Sequence, residues 1–318
     1  MSISFVHVHM VALRYFAEAA RTGSMRKASE QLNVAGSAVN RQIIKLEEQL
    51  QCKLFERQAD GVRLSAAGEV LYNYIKRLDH DLERAISQID DLRGLRRGRV
   101  RIACEDGIGR DFLPQVLVEF HARYPGINYT VEIASALDVL AQVADGEVDI
   151  GIAMTPPTRP DVAILAQAEM PLGVIVALDH SFASQASVQL KDVMGERLIE
   201  AKDGTGGTTD FYERLGHGVP RSRFIETNAL DFVTNLVRVG LGVGVRTPVG
   251  ILNLIEGRRI GFVPIADRHT VPKLTIFGNR QRMPSTSGAI LVELLKEKLP
   301  GFKQQVWDMV ATPVAASN

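Results

Sequence analysis

The chain has two cysteines, one tryptophan and a formal net charge of zero over 318 residues, and each shortage excludes something. Cys52 and Cys104 are too few for a disulfide framework and too far apart for a metal-ligand pair, so a reducing compartment fits best. No apolar run approaches the ~20 residues of a membrane span. Residues 1–10 lack a basic stretch followed by an apolar one, so they make a poor secretory signal and the expectation is a cytoplasmic protein. The seven histidines are scattered, none at ligand spacing to Cys, Asp or Glu. Neither a Gly-x-Ser-x-Gly elbow nor a Walker lysine loop occurs. The glycines at 240, 242 and 244 precede a strand-like run, whereas a dinucleotide fingerprint follows one. These absences predict a protein that is not an enzyme and takes no metal or cofactor.

What remains is ordinary for a folded protein, with 46% apolar and 23% charged residues and a length suited to about two domains. The zero net charge conceals an asymmetry. Residues 1–100 carry 16 basic and 12 acidic side chains, and residues 101–318 carry 21 and 25. A basic head on an acidic body is compatible with nucleic-acid binding without requiring it.

In the head, Leu13, Phe16, Ala17 and Ala20 mark one face of a helix that Gly23 stops. Ser24 can cap a second helix through Leu32. After a short turn, Val39, Ile43, Leu46 and Leu50 give the inward face of a third helix over 37–50. Ser37, Asn40, Arg41 and Lys45 lie on the outer face. Two helices joined by a turn, the second polar and basic outside, suit a helix-turn-helix, whose second helix enters the major groove of double-stranded DNA. A solvated helical subdomain is the bland alternative. Residues 52–56, the Asp60-Gly61 turn and residues 62–64 read as a hairpin wing, where Arg57 and Arg63 could neutralise phosphates. From Ser65 a long helix begins. Leu71, Ile75, Leu78, Leu82, Ala85, Ile89 and Leu92 fall at alternating spacings of four and three, a heptad seam that favours a partner helix and hence a homodimer or homotetramer.

At this point the head resembles a LysR-type transcriptional regulator. The resemblance rests on Leu13-Arg14-Tyr15-Phe16, Gly23-Ser24, Ala28, the run Val39-Asn40-Arg41-Gln42-Ile43, Leu46-Glu47, Leu54-Phe55-Glu56-Arg57 and Leu64-Ser65-x-x-Gly68, covering residues 10 to about 95. One departure falls where base reading begins. Ala35-Gly36-Ser37 stands where the family usually has Ser-Gln-Pro. That removes a cap hydroxyl worth ~1 kcal/mol and a glutamine base contact. Ser37 is expected to cap instead and start the helix two residues late. Asn40 replaces a family serine and could pair with adenine.

Residues 93–99 are basic and glycine-broken, a natural hinge. Beyond them strand-like and helix-like runs alternate, which predicts a mixed, mainly parallel α/β sheet. Strands are expected at 100–104, 128–133, 148–153, 172–177, 198–200, 223–226, 243–245 and 274–277. Helices are expected from Gly109 to Tyr124 and at 137–144, 208–215, 231–239 and 287–299. Val100-Arg101-Ile102, Phe112-Leu113-Pro114, Tyr124-Pro125, Val148-Asp149-Ile150-Gly151-Ile152 and Gly240-Leu241-Gly242-Val243 extend the resemblance weakly into the family's effector domain. That implies two Rossmann-like lobes, similar to periplasmic binding proteins, around a ligand cleft.

The expected organisation is a winged helix-turn-helix domain (1–65), a dimerising linker helix (66–93), a hinge (94–98), an effector domain (99–305) and a tail (306–318). Lobe I would take about 99–167 and 270–305, lobe II about 168–269. Strand-end geometry nominates Glu105, Asp106, Gly107, Ser135, Thr155, Lys202, Asn228, Arg246 and Thr247 around the cleft. The acids at 105 and 106 argue against a simple anion held by that loop alone, and Lys202 and Arg246 argue the other way. The function expected is a DNA-binding regulator controlled by a small-molecule effector. The alternative is a solute-binding protein whose helical head serves only for dimerisation.

Overall fold

The structure is a computed structural model that describes residues 10–58, 61–92, 98–201, 223–266, 271–282 and 284–311, with Arg57, Arg84, Ser87, Gln88, Asp90, Asp91, Leu92 and Arg223 described by backbone alone. The chain divides into two compact units, residues 1–83 and 84–318.

The first unit holds α1 (Met10–Thr22), α2 (Met25–Leu32), α3 (Gly36–Leu50), the hairpin β1 (Phe55–Gln58) and β2 (Gly61–Leu64), and the start of α4 (Ala66–Leu92). Its core collects Leu13, Phe16, Ala28, Val39, Ile43, Leu46, Leu54 and Phe55, the helical apolar faces read from the sequence plus the wing's first residues. Ser24 caps α2, its hydroxyl accepting from Lys27 N at 3.4 Å. Ser65 stands at the head of α4, where its hydroxyl accepts from Gly68 N at 3.0 Å and donates to the Lys53 carbonyl at 2.6 Å. A Cβ at Gly68 would lie 2.1 Å from the Leu54 carbonyl oxygen, so the wing's approach to α4 requires glycine there.

The second unit runs β3 (Gly98–Cys104), α5 (Asp106–Asp111), α6 (Leu113–Arg123), β4 (Ile127–Ile133), α7 (Ala136–Asp145), β5 (Ile150–Met154), β6 (Val162–Glu169), β7 (Gly173–Val176), α8 (Leu190–Val193), β8 (Leu198–Ala201), β9 (Arg223–Thr227), α9 (Leu230–Arg238), β10 (Gly244–Arg246), α10 (Leu252–Glu256), β11 (Gly261–Pro264), β12 (Lys273–Asn279) and α11 (Thr286–Ala311). Lobe I is a five-stranded sheet in the order β4-β3-β5-β12-β6. Val100, Ile102 and Cys104 of β3 face α6 and α11, while Ala103 faces α7, the period of two expected of a strand buried on both sides. Lobe II is built on the sheet β10-β7-β11 and the pair β8-β9, with β8 tied to Val243 by a bridge from Leu198.

Several expectations need correction. The sheets are mixed without being mainly parallel. β3 pairs parallel with β4 and β5, and β8 with β9, but β12 runs antiparallel to β5 and β6, and β7 antiparallel to β10 and β11. Strand β12 re-enters lobe I's sheet only after lobe II, so its direction is not set by a local βαβ crossover. Strands β6 and β11 were not anticipated, and β6 continues through Gln167 to Glu169. The loop expected at 105–109 is largely the helix α5. The last helix does not stop at 299. It passes Pro300, and Phe302, Val306 and Val310 prolong its apolar face to Ala311. Proline removes one N–H from a helix interior, and that buried face outweighs the loss. Val306 packs in lobe I's core and Val310 in lobe II's, so α11 touches both lobes. The helix expected at 208–215 lies outside the described residues.

Candidate nucleic-acid interface and inter-lobe pocket

The turn between α2 and α3 is closed by Asn33, which adopts the left-handed conformation at φ 53° and sends its N–H to the Glu30 carbonyl. Helix α3 starts at Gly36 with Ala35 as its N-cap residue, which makes no side-chain cap bond. This corrects the expectation that Ser37 would cap a late-starting helix. The Ala38 N–H reaches the Ala35 carbonyl at 2.9 Å, so backbone alone begins the first turn. Ser37 therefore lies inside the helix and is exposed, as are Arg41, Ile44 and Lys45, and Asn40 is half-buried. The Arg41 Nε donates to the Ser37 carbonyl at 3.3 Å.

At the other end of α3 the Glu47 carboxylate is buried. It accepts from Lys53 Nζ at 2.6 Å, Leu54 N at 2.9 Å and Phe55 N at 3.5 Å, tying the helix to the wing. Burial pushes this carboxyl upward, but the Lys53 ammonium and the two backbone N–H groups outweigh it and hold it below its ordinary value. In the wing, Arg63 is exposed and stands opposite Glu56 in the hairpin register. The Arg57 side chain lies outside the described residues.

The heptad seam divides. Leu71, Ile75 and Leu78 are half-buried against the head's own core. Leu82 and Ile89 are about half exposed, Ala85 is exposed, and the Leu92 side chain lies outside the described residues. The uncovered apolar stripe also takes in Ile86, which the strict heptad passed over in favour of Ala85.

In the second unit, α5, β4 and the start of α7 meet the segment entering α9 around a cavity of about 300 Å³. Lobe I contributes Glu105, Asp106, Arg110 and Ser135, and lobe II Asn228 and Asp231. Of the nominated residues, Asp106, Ser135 and Asn228 are thus brought together, along with Glu105. The Ser135 hydroxyl caps α7, accepting from Asp138 N and donating to its carboxylate at 2.7 Å. Arg110 and Asp231 carried no sequence signal, because their partnership spans 121 positions: Arg110 bonds Asp106 at 3.0 Å and Asp231 at 2.5 Å.

Gly107, Thr155 and Thr247 do not line this cavity. Gly107 is buried where α5 meets the segment after β10, and a Cβ on it would lie 2.8 Å from the Val249 carbonyl oxygen. The Thr155 hydroxyl accepts from Lys273 N at 2.9 Å, and Thr247 offers its carbonyl to Arg246 at 3.1 Å. Lys202 lies outside the described residues.

Burial dominates the electrostatics. Glu105 is buried and pushed up to about 7, against the pull of the Met154 N–H that donates to its Oε2. The Cys104 thiol is driven up to about 12 by burial, with Glu105 and Asp106 adding to it, which makes it a core residue rather than a nucleophile. Arg246 is part-buried, and burial lowers it to about 10 in spite of Asp111, Asp231 and Asp106. It donates to Thr247 O, Thr234 Oγ1 and Val249 O. Asp111 accepts from Gly250 N at 2.6 Å, a second tie between α5 and the segment after β10.

Residues 10–69 match the family described as bacterial regulatory helix-turn-helix protein, lysR family, and residues 93–300 match the LysR substrate binding domain. The chain belongs to the LysR family of transcriptional regulators. It is 27% identical to a RuBisCO operon transcriptional regulator of Allochromatium vinosum, over 80% of this chain and 84% of that one. It is 29% identical to a probable RuBisCO transcriptional regulator of Porphyra purpurea, over 95% and 94%. Among solved structures, the full-length regulator CbnR in complex with its target DNA aligns with a TM-score of 0.69 at 20% identity, covering 91% of this chain and 99% of that one. A full-length OxyR variant of Pseudomonas aeruginosa aligns at 0.66 and 20%, covering 92% and 95%. The head is therefore a regulatory helix-turn-helix, and the reading of it as a dimerisation module on a solute-binding protein falls. Among the described residues no helix is long and apolar enough to cross a membrane.

Proposed function

We propose that this regulator contacts double-stranded DNA through Ser37, Asn40, Arg41 and Lys45 on α3, with Arg57 and Arg63 of the wing on phosphates. A small-molecule effector binds the inter-lobe cavity against Asp106, Ser135 and Asn228. The protein acts in the cytoplasm, where its DNA is, performs no catalysis and requires no cofactor. Two copies join through the stripe of α4 that the head leaves uncovered, Leu82, Ala85, Ile86 and Ile89, which would give a two-fold protein for a two-fold DNA site. The observation that carries the reading is the outer face of α3, whose Ser37, Arg41 and Lys45 are exposed while Val39, Ile43 and Leu46 are sealed in the core. An effector can act only through different affinities for two arrangements of the lobes, and the Arg110–Asp231 pair between them is a contact that such a change would remake.

Gel-shift titrations against the DNA upstream of its own gene test the reading. Arg41→Ala weakens specific binding by about 1–3 kcal/mol if it reads a base. Lys45→Ala weakens specific and non-specific binding equally and flattens the salt dependence, as expected of a phosphate contact. Unchanged binding in both variants removes α3 from the interface.

A further inference from the structure

We infer that α11 beyond Pro300 is a strap between the lobes, holding them in one arrangement and setting how readily another forms. Its regulatory meaning rests on the reading that an effector selects between two arrangements. The match to the family's substrate binding domain ends at residue 300, but the helix runs on to Ala311. Phe302, Val306 and Val310 follow at intervals of four and so share one helical face. That face passes from one lobe to the other. Phe302 meets the Phe112 ring of lobe I, centroids 4.9 Å apart, and Val306 is sealed in lobe I's core. Val310 is buried in lobe II's cluster with Ile251 and Ile255 of α10 and Phe262 of β11. Met309, between them in sequence, packs against both cores.

Trp307 supplies the independent observation. Its indole N–H donates to the Glu169 carbonyl at 3.0 Å, at the end of β6, where the chain leaves lobe I for β7. The two crossovers lie side by side there. The Met170 N–H reaches the Pro272 carbonyl at 2.8 Å and the Ile265 N–H reaches the Leu172 carbonyl at 3.1 Å. They form the pivot about which lobe II can turn, and the strap is fixed to it. Phe112 also adjoins Asp111, which accepts from Gly250 and Leu252 of lobe II, so the strap's first anchor sits beside a second inter-lobe tie. The strap joins the rest of α11 through Pro300-Gly301. Proline has no N–H to give and crowds the carbonyl four residues back. Among the described residues, a Cβ on Gly301 would meet nothing within 4 Å, so packing does not require glycine there. Both residues disfavour helix, and α11 is weakest at this joint. A turn of lobe II must therefore pull Val310 from its site or bend the helix at 300–301. Phe302 and Val306 hold the lobe I end more strongly than Val310 holds the lobe II end, so the strap releases from lobe II.

A spin-label distance across the cleft tests this in the full chain without any effector. Leu137→Cys at the start of α7 and Phe232→Cys on α9 are exposed sites on opposite lobes, each next to a residue lining the cavity. The exposed Cys52 is replaced by serine, and labelled chains are diluted in unlabelled ones so that only distances within one chain are read. Val310→Asp raises the population of a second distance about tenfold relative to the parent, the weight of one buried valine. Termination after Asp308 does the same without burying a charge, and decides the matter if Val310→Asp does not fold. Val292→Ala, in lobe I's core before the joint, leaves the distances as they are. Parent distances in both release variants overturn the strap, as does an equal shift in Val292→Ala, which would mark general loosening. Gel shifts separate the two readings. Shifted distances with changed operator affinity support both, and shifted distances with unchanged affinity support the strap while counting against lobe arrangement as the control of DNA binding.

Discussion

Replacing Glu47 by alanine is the sharpest test of how the DNA-binding head is held together. The carboxylate fastens the end of α3 to the wing through one ammonium and two main-chain N–H groups. These bonds differ in weight. Lys53 is mostly exposed, 77% by side chain, so its ion pair contributes ~0.2–1 kcal/mol. Leu54 is 1% exposed, and removing the acceptor leaves its N–H buried without a partner, at about 1–3 kcal/mol. The Phe55 bond at 3.5 Å is long and adds little. Glu47→Ala should therefore destabilise the head by roughly 2–3 kcal/mol, Lys53→Ala by less than about 1 kcal/mol, with Glu47→Gln in between because an amide oxygen can still take the Leu54 N–H. Hydrogen exchange at Leu54 and Phe55 reports this directly, with protection falling by about two orders of magnitude in Glu47→Ala. The effect depends on pH with a definite sign. The folded carboxyl is held below its ordinary value, so its contribution is complete above the usual carboxylate range and lost as pH falls through the folded value. The gap between wild type and Glu47→Ala should close in acid. Equal losses from Lys53→Ala and Glu47→Ala, or a gap that widens in acid, would refute the argument.

Three further outcomes follow from the same geometry. Glu105 is raised to about 7 from 4.5, so the folded state holds a proton that the unfolded state gives up between those values. Wild-type stability should fall by up to roughly 3 kcal/mol as pH rises across that window, while Glu105→Gln stays flat; melting curves at both ends of the window decide it, and parallel wild-type and variant curves count against a buried neutral carboxyl. Leu82→Asp with Ile86→Asp should give monomers by sedimentation with the head still folded, whereas an intact dimer would place the partner surface elsewhere. Gly107→Ala puts a Cβ 2.8 Å from the Val249 carbonyl and should cost about 1–3 kcal/mol through a shift of α5 against the segment after β10; an unchanged melting temperature would show that the segment yields freely.

The sequence revealed the head nearly completely because its signals are local. Apolar faces at helical spacing, cap residues and an Asp-Gly turn each act within a few positions, and the residues named from them, such as Val39, Ile43, Leu46 and Ser65, stand where the pattern put them. The start of α3 is not legible from cap residues, because the Ala38 to Ala35 backbone bond begins the helix at Gly36 without a side-chain cap. The seam on α4 was legible as apolar spacing but not as a choice of partner. Leu71, Ile75 and Leu78 pack on the head's own core, and Ile86 replaces Ala85 as the apolar residue of the open stripe. In the second unit the strand-end rule found Asp106, Ser135 and Asn228, since each follows or caps an element whose pattern is local. It missed Arg110 and Asp231, whose relation exists only after two lobes have met. Pro300 marked a helix end by propensity, but the buried Phe302, Val306 and Val310 beyond it outweighed that preference.

The place of β12 in lobe I constrains the order in which this protein can be made. The strand lies between β5 and β6, pairing Ile276 with Ile152 on one side and with Ala166 on the other, and Thr275 lies 108 residues beyond its hydrogen-bonded neighbour Gln167. When β5 and β6 leave the ribosome they have no central partner, and each presents an open edge until the whole of lobe II has followed. Pairings of such long range are slow to close, and unpaired edges are where nascent chains aggregate. Lobe II must therefore be synthesised before lobe I can seal. A nascent chain stalled between residues 170 and 272 should need a chaperone to stay soluble, and one released after α11 should not.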